Sequence, residues 1–173
     1  MKKIMLFIAF VLIIAVIVFV WYMGVFQSIV IEEQDQGPFT LIYQEMTGND
    51  MKQVGEITTK LDKLLREHGN TYRKPLDVFF PDNKAEIGYA VENSSPDQLI
   101  ALSEQTKVRE IPVQHYMVSH FPWRNKISFI VGYMKIDPAL KKYRSEHNYK
   151  TVEAYALNNG DTIVYMQPVV KQE

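Results

Sequence analysis

The chain has 173 residues, of which 47% are hydrophobic, with 19 Lys and Arg against 20 Asp and Glu, and no cysteine. That length allows one ordinary domain plus an appendage. Zero cysteines excludes disulfides, thiolate catalysis and zinc fingers, and the near-neutral charge excludes a non-specific nucleic-acid surface, which needs clustered positive charge.

The appendage comes first. After Lys2 and Lys3, residues Ile4 to Phe26 carry no charge. A helix over these 23 residues would be about 34 Å long, enough to cross a hydrocarbon core of roughly 30 Å. Trp21 and Tyr22 lie near its end, where aromatic rings favour the headgroup boundary. A cleavable signal peptide has a shorter apolar core and a small-x-small site, and this run is longer with no Ala-x-Ala after it. Residues 1–27 therefore read as a single-pass transmembrane anchor. The positive-inside tendency puts Lys2 and Lys3 on the cytoplasmic side, with the domain outside or periplasmic. Beyond the span the chain carries 17 basic and 20 acidic residues.

Residues 28–37 (SIVIEEQDQG) read as a juxtamembrane linker, and 38–173 as the folded domain. PFTLIYQEM is predicted as a strand. Asn49 or Asp50 can cap the helix that follows. Met51, Val54, Ile57, Leu61, Leu64 and Leu65 recur at three and four, which predicts an amphipathic helix over 50–68 that stops at Gly69. LDVFFPDNKAEIGYAVE is predicted as a hairpin turning at PDNK, and NSSPDQ as a loop. Then the order repeats. VREIPVQHYMVSH reads as one strand and FPWRNKISFIVGYM as a helix. Asp137-Pro138 reads as a break before a second short helix, ALKKYRSEHN. A last hairpin turns at NNGD.

Strand, helix, hairpin thus occurs twice. Asp77, Phe79, Ile87 and Tyr89 match Glu153, Tyr155, Ile163 and Tyr165 at an offset of 76, in the pattern acid-x-aromatic-x7-Ile-x-Tyr. Two copies of one unit each have a sheet face they cannot cover alone, so pairing buries both and leaves a cleft at the pseudo-twofold seam. The fold class is α+β: two pseudo-twofold-related strand–helix–strand–strand modules with an antiparallel sheet, after one transmembrane helix.

This layout resembles the GyrI-like, or effector-binding, domain family over roughly residues 36–170. The residues that carry the likeness are Phe79-Phe80-Pro81-Asp82 at the first hairpin turn, Glu153-Ala154-Tyr155 in the second hairpin, and the closing IVYMQP strand. A closer likeness, in HFPWRNKISFIVGYMKIDPALKKYRSEHNYKTVEAY, is to membrane-anchored members of the ER-phagy receptor type. It implies the architecture and the groove but not the autophagy role, which in those members uses a long tail; here the sequence ends at Glu173, right after the last strand. The family resemblance implies a small-molecule-binding domain with Glu153 at the bottom of an apolar groove, facing a cationic or polar organic ligand. Burial there would raise the pKa of the acid, and an aromatic wall would add cation–π attraction of roughly 0.5–2 kcal/mol.

The candidate ligand residues are Glu153, Tyr155, Tyr89, Tyr165, Tyr43, Tyr116 and Trp123. For most of these the plainer alternative is packing; for Glu153 it is a solvated strand acid. Asp77 mirrors Glu153 but is expected to pair at the surface with Arg73 and Lys74. The histidines, His68, His115, His120 and His147, give no metal-ligand spacing. HExxH, GxSxG and GxxxxGK[ST] do not occur, and neither a cofactor nor a nucleic-acid partner is expected. Asn93-Ser94-Ser95 is a glycosylation sequon, relevant only in a eukaryotic secretory setting. Two other functions remain: a hydrolase using Glu153 as general base with Tyr155 or Tyr89 as proton donor, and a protein-docking adaptor.

Overall fold

The computed structural model describes residues 2–48, 50–92 and 94–172. Asn49 and Asn93, named above as a helix cap and a sequon, lie outside the described residues. An apolar helix α1 (Lys2–Tyr22) precedes an α+β domain built on an antiparallel sheet of eight strands. In chain order come β1 (Glu32–Gln36), β2 (Phe39–Thr47), α2 (Met51–Glu67), β3 (Arg73–Phe79), β4 (Lys84–Val91), α3 (Pro96–Ser103) and β5 (Lys107–Ile111). Then follow β6 (Gln114–Pro122), α4 (Lys126–Glu146), β7 (Ala154–Asn158) and β8 (Thr162–Pro168).

The sheet order is β1-β6-β8-β7-β3-β4-β2-β5. Each half therefore holds one strand–helix–strand–strand module plus one edge strand, and the halves meet where β7 pairs with β3. The duplication is real, but the first strands of the two hairpins are not in the register that the sequence match implies. Ile87 and Tyr89 pack under α2, as Ile163 and Tyr165 do under α4. The residues paired with Tyr89 and Tyr165 are Pro75 and Ala156, which are 81 apart rather than 76. An odd shift exchanges the faces of a strand. Asp77 and Glu153 therefore lie on opposite sides of the sheet.

Three further expectations are corrected. The stretch read as a linker contains β1, which pairs with β6. Glu33 Oε1 accepts from Tyr149 (2.9 Å) and Tyr143 (3.2 Å), tying β1 to the end of α4. The end of NSSPDQ is the start of α3: Ser95 and Gln98 form a capping box with Pro96 in the first turn, a start signal present in the sequence. The chain from 107 to 122 is two strands, because Pro112 has no amide to continue the ladder.

The two predicted helices around Asp137-Pro138 are one. Asn125 caps α4, accepting from the amides of Ile127 and Ser128, and Asp137 instead pairs with Lys141 at 2.7 Å. A mid-helix proline costs about 3 kcal/mol. Ile136 and Leu140, both buried against the sheet, flank Pro138 and carry the helix through.

Three clusters form the core. Two lie under the helices: Ile57, Leu61, Leu64 and Leu65 of α2 over Ile42, Ile87 and Tyr89, and Ile136 and Leu140 of α4 over Met117, Phe121 and Tyr165. The third belongs to the sheet alone, with residues from β2 through β8 and none from a helix. Leu41, Leu76, Val78, Tyr116 and Met166 are almost completely buried there without a helical cover. The sheet must curl over this face to exclude water from it. The end of α1 packs on the domain through Met23, which is 2% exposed. Lys135 Nζ donates to the carbonyls of Gly24, Val25 and Gln27, tying the turn that follows α1 to α4.

Candidate functional site

Alternation along the strands decides which polar groups share the concave, helix-free face. On β7, Tyr155 and Leu157 point into it, and Glu153, just before the strand, is on the same side. On β6 it is Tyr116 and Val118; on β2, Leu41 and Tyr43. Four of the seven candidates therefore come together: Glu153, Tyr155, Tyr116 and Tyr43. The other three do not join them. Tyr89 packs under α2. Tyr165 packs under α4, with its hydroxyl donating to Phe129 O at 2.8 Å. Trp123 is half-buried against the α4 cluster. Their parity is opposite.

The Tyr155 hydroxyl donates to Glu153 Oε1 at 3.1 Å. Tyr116 meets Tyr155 edge to face, with centroids 5.6 Å apart. Burial, and next the charge of Glu153, push the Tyr116 phenol up to about 12 and that of Tyr155 above its ordinary range. Tyr116 is fully buried, and its hydroxyl has no hydrogen-bond partner among the described residues.

Sequence reading missed two charged residues here. Glu86 of β4 is 6% exposed and stands across β3 from Tyr155, since both pair with Val78. Arg109 of β5 faces it, Nη2 to Oε2 at 2.9 Å. The guanidinium lies 5.9 Å from the ring centroids of both Tyr43 and Phe80. Burial raises the pKa of Glu86; Arg109 opposes that shift, while the charges of Glu45 and Glu153 add to it. The available signal was Glu86 itself, an acid inside the otherwise apolar run AEIGYAV. Gly88 makes room for the site. A Cβ there would fall 2.2 Å from Ile42 O and 2.9 Å from Tyr43 Cβ, so no side chain fits beside Tyr43.

Asp77 is not a surface pair. Arg73 binds Asp62 at 2.6 Å and Lys74 binds Glu92 at 3.0 Å. Asp77 lies on the helix side, beside Ala156 of β7, and accepts a long hydrogen bond from Gly88 N at 3.3 Å. Burial pushes its pKa up to about 7, against that hydrogen bond. Farther along the same side, Met46, Met51, Val54, Phe79, Phe129 and Tyr133 line a cleft of about 230 Å³ between α2 and α4. Among the described residues no group of three or more His, Asp or Glu is placed to hold a metal ion.

The fold defines a class: a duplicated strand–helix–strand–strand domain on one curled antiparallel sheet. Neither a protein-family model nor a curated protein sequence matches the chain. Solved structures do. One, SAV2435 bound to tetraphenylphosphonium, is 14% identical with a TM-score of 0.57, over 81% of this chain and 93% of that one. A second is the EcmrR C-terminal domain, 8% identical with a TM-score of 0.61, over 83% and 99%. A third, a hydrolase from Listeria innocua, is 10% identical with a TM-score of 0.53, over 80% and 90%. At such identities the likeness shows the fold. It fits the GyrI-like fold that the sequence resemblance implies.

Proposed function

We propose that this chain is a membrane-tethered domain that binds small amphipathic organic cations on the concave face of its sheet. The observation that carries this reading is the placing of two carboxylates, the buried Glu86 and the half-buried Glu153, on a face of packed aromatic side chains. A desolvated carboxylate among tyrosines favours a cation by charge and by the ring quadrupoles. Glu153 is the polar anchor; Tyr155, Tyr116 and Tyr43 are the walls. Tyr116 and Tyr155 close the crease edge to face, so a guest must part these rings, and association is slower than for a preformed pocket. The structural likeness to a protein bound to an organic cation supports the choice of ligand class.

The tether is α1, long and apolar enough to cross a membrane. Burial of Met23 and the contact of Asn125 Nδ2 with its sulfur (3.6 Å) favour an uncleaved anchor over a signal sequence, since the end of the helix is part of the packing. The charge asymmetry around the span favours a domain outside the cytoplasm. The likeness to the ER-phagy receptor type extends to this architecture and not to an autophagy role.

Binding is favoured over hydrolysis. Glu153 and Tyr155 are in contact, but burial moves the Tyr155 phenol away from neutrality, and a useful proton donor has a pKa near the working pH. The test is calorimetric titration of the full chain in detergent with tetraphenylphosphonium, with detergent alone as the partition control. Saturable binding is expected, about tenfold weaker in Glu153→Gln with the fold unchanged. Equal affinity in that variant removes Glu153 from the site. Absence of saturable binding across a panel of lipophilic cations removes the proposal.

A further inference from the structure

Arg109 sits in a cage of the kind that holds a cation. Its guanidinium stands at equal distance from the rings of Tyr43 and Phe80 and against the Glu86 carboxylate. Yet its Nε and Nη2, and Glu86 Oε2, are buried without an aligned hydrogen bond among the described residues. Charge and ring faces hold the group, not directional donors and acceptors, and the same forces hold an organic cation that has no N–H to donate. The residue also has a way out. β5 is an edge strand that pairs only with β2, and the Arg109 side chain keeps 31% of its surface exposed.

We propose that Arg109 is a tethered stand-in for the ligand: it fills the cation cage on the concave face, and an incoming cation binds by displacing it into solvent. This rests on the binding function proposed above and adds a selectivity rule. A neutral amphiphile cannot replace the charge that Glu86 loses when Arg109 leaves, so it is rejected; a cation restores that charge. Apparent affinity is the intrinsic affinity multiplied by the fraction of molecules in which Arg109 has left the cage.

The experiment compares tetraphenylphosphonium binding to the full chain in detergent for wild type, Arg109→Gln, Lys107→Gln and Glu153→Gln. Lys107, two residues away on the same face of β5, pairs with the exposed Glu45, so its variant removes one positive charge near the cage while leaving the guanidinium in place. Arg109→Gln should bind at least fivefold tighter, and Lys107→Gln within twofold of wild type. In the wild type, the Arg109 Nε–Hε nuclear magnetic resonance signal should move toward solvent-exposed values as the probe saturates. If Arg109→Gln does not fold, Arg109→Lys replaces it, and intermediate tightening is expected because an ammonium lacks the flat guanidinium face.

Equal or weaker binding by the Arg109 variants overturns the displacement, as does equal tightening in Lys107→Gln or an unmoved Arg109 signal. If Glu153→Gln still weakens binding in that case, the binding function stands without it. Lack of saturable binding in every variant removes both.

Discussion

The two faces of the sheet bury similar side chains and close in different ways. Under α2 and α4 the packing is leucine, isoleucine and aromatic, and its one buried phenol over β8, Tyr165, finds a carbonyl at 2.8 Å. On the concave face the sheet closes over itself, and among the described residues the Tyr116 hydroxyl has no hydrogen-bond partner while Glu86 and Arg109 meet as an ion pair without an aligned hydrogen bond. Buried polar groups left without partners cost free energy, roughly 1–3 kcal/mol each. A face that retains them is poorly suited to stability, and its buried carboxylate suits a cationic guest. The helix side has exceptions too: Ser119, on the face of β6 that carries Met117 and Phe121, is buried with an unpartnered hydroxyl among the described residues, and Asp77 holds one long hydrogen bond; Asp77 tests the contrast most directly.

The largest effect should come from the helix side. Leu61→Ala empties a fully buried position under α2 and should cost about 4 kcal/mol in denaturant unfolding, with cation affinity of the folded fraction unchanged. A comparable loss of affinity would mean that the faces are coupled. Asp77→Asn comes next, and its sign is opposite. The carboxyl is at about 7 in the folded chain against 3.8 in the reference. A raised carboxylate pKa means that the native state holds the extra proton, so wild-type stability falls as pH rises from about 4 through about 7. Asp77→Asn should remove that fall and gain about 3 kcal/mol at pH 8, less than the roughly 4 kcal/mol of the full shift because the side chain is only half-buried, with little change at pH 4. A pH-independent wild type would return Asp77 to the surface.

On the concave face the effects are on binding. Tyr155→Phe removes the donor to Glu153 and should weaken tetraphenylphosphonium about fivefold, with melting shifted by less than that of Leu61→Ala. An unchanged affinity would reduce the site to Glu153 and Glu86 alone. The smallest effect should be Ser95→Ala, which removes the cap of α3 at a cost of about 1 kcal/mol. Because α3 leads into β5, hydrogen exchange of β5 amides should quicken while β3 and β7 stay protected.

Much of the fold was legible. The period of three and four predicts 50–68, and the helix is Met51–Glu67 with Asp50 as its cap. PDNK and NNGD are turns, and the two modules are present. The site was half legible. Residue types that suit a cation groove could be picked out, and Tyr43, Tyr116, Tyr155 and Glu153 do meet. What failed was parity. The hairpin repeat matched acids that face opposite sides, because the two hairpins differ in register and a shift of an odd number of residues is invisible to pattern matching. Arg109 and Glu86 were missed for a related reason: they are adjacent only once β5 and β4 both flank β2.

Local chemistry, then, was settled by the sequence: an uncharged run long enough for a bilayer, an amphipathic helix with its Asp50 cap and Gly69 stop, and paired modules. Each depends on interactions within a few residues, which any chain of this sequence carries before it folds. Which tyrosines line the crease, that Asp77 is recessed, that Pro138 lies inside a continuous helix and that Arg109 sits in an aromatic cage were decided by the tertiary structure. Those outcomes depend on strand register and on what packs across the sheet, where burial outweighs local preference.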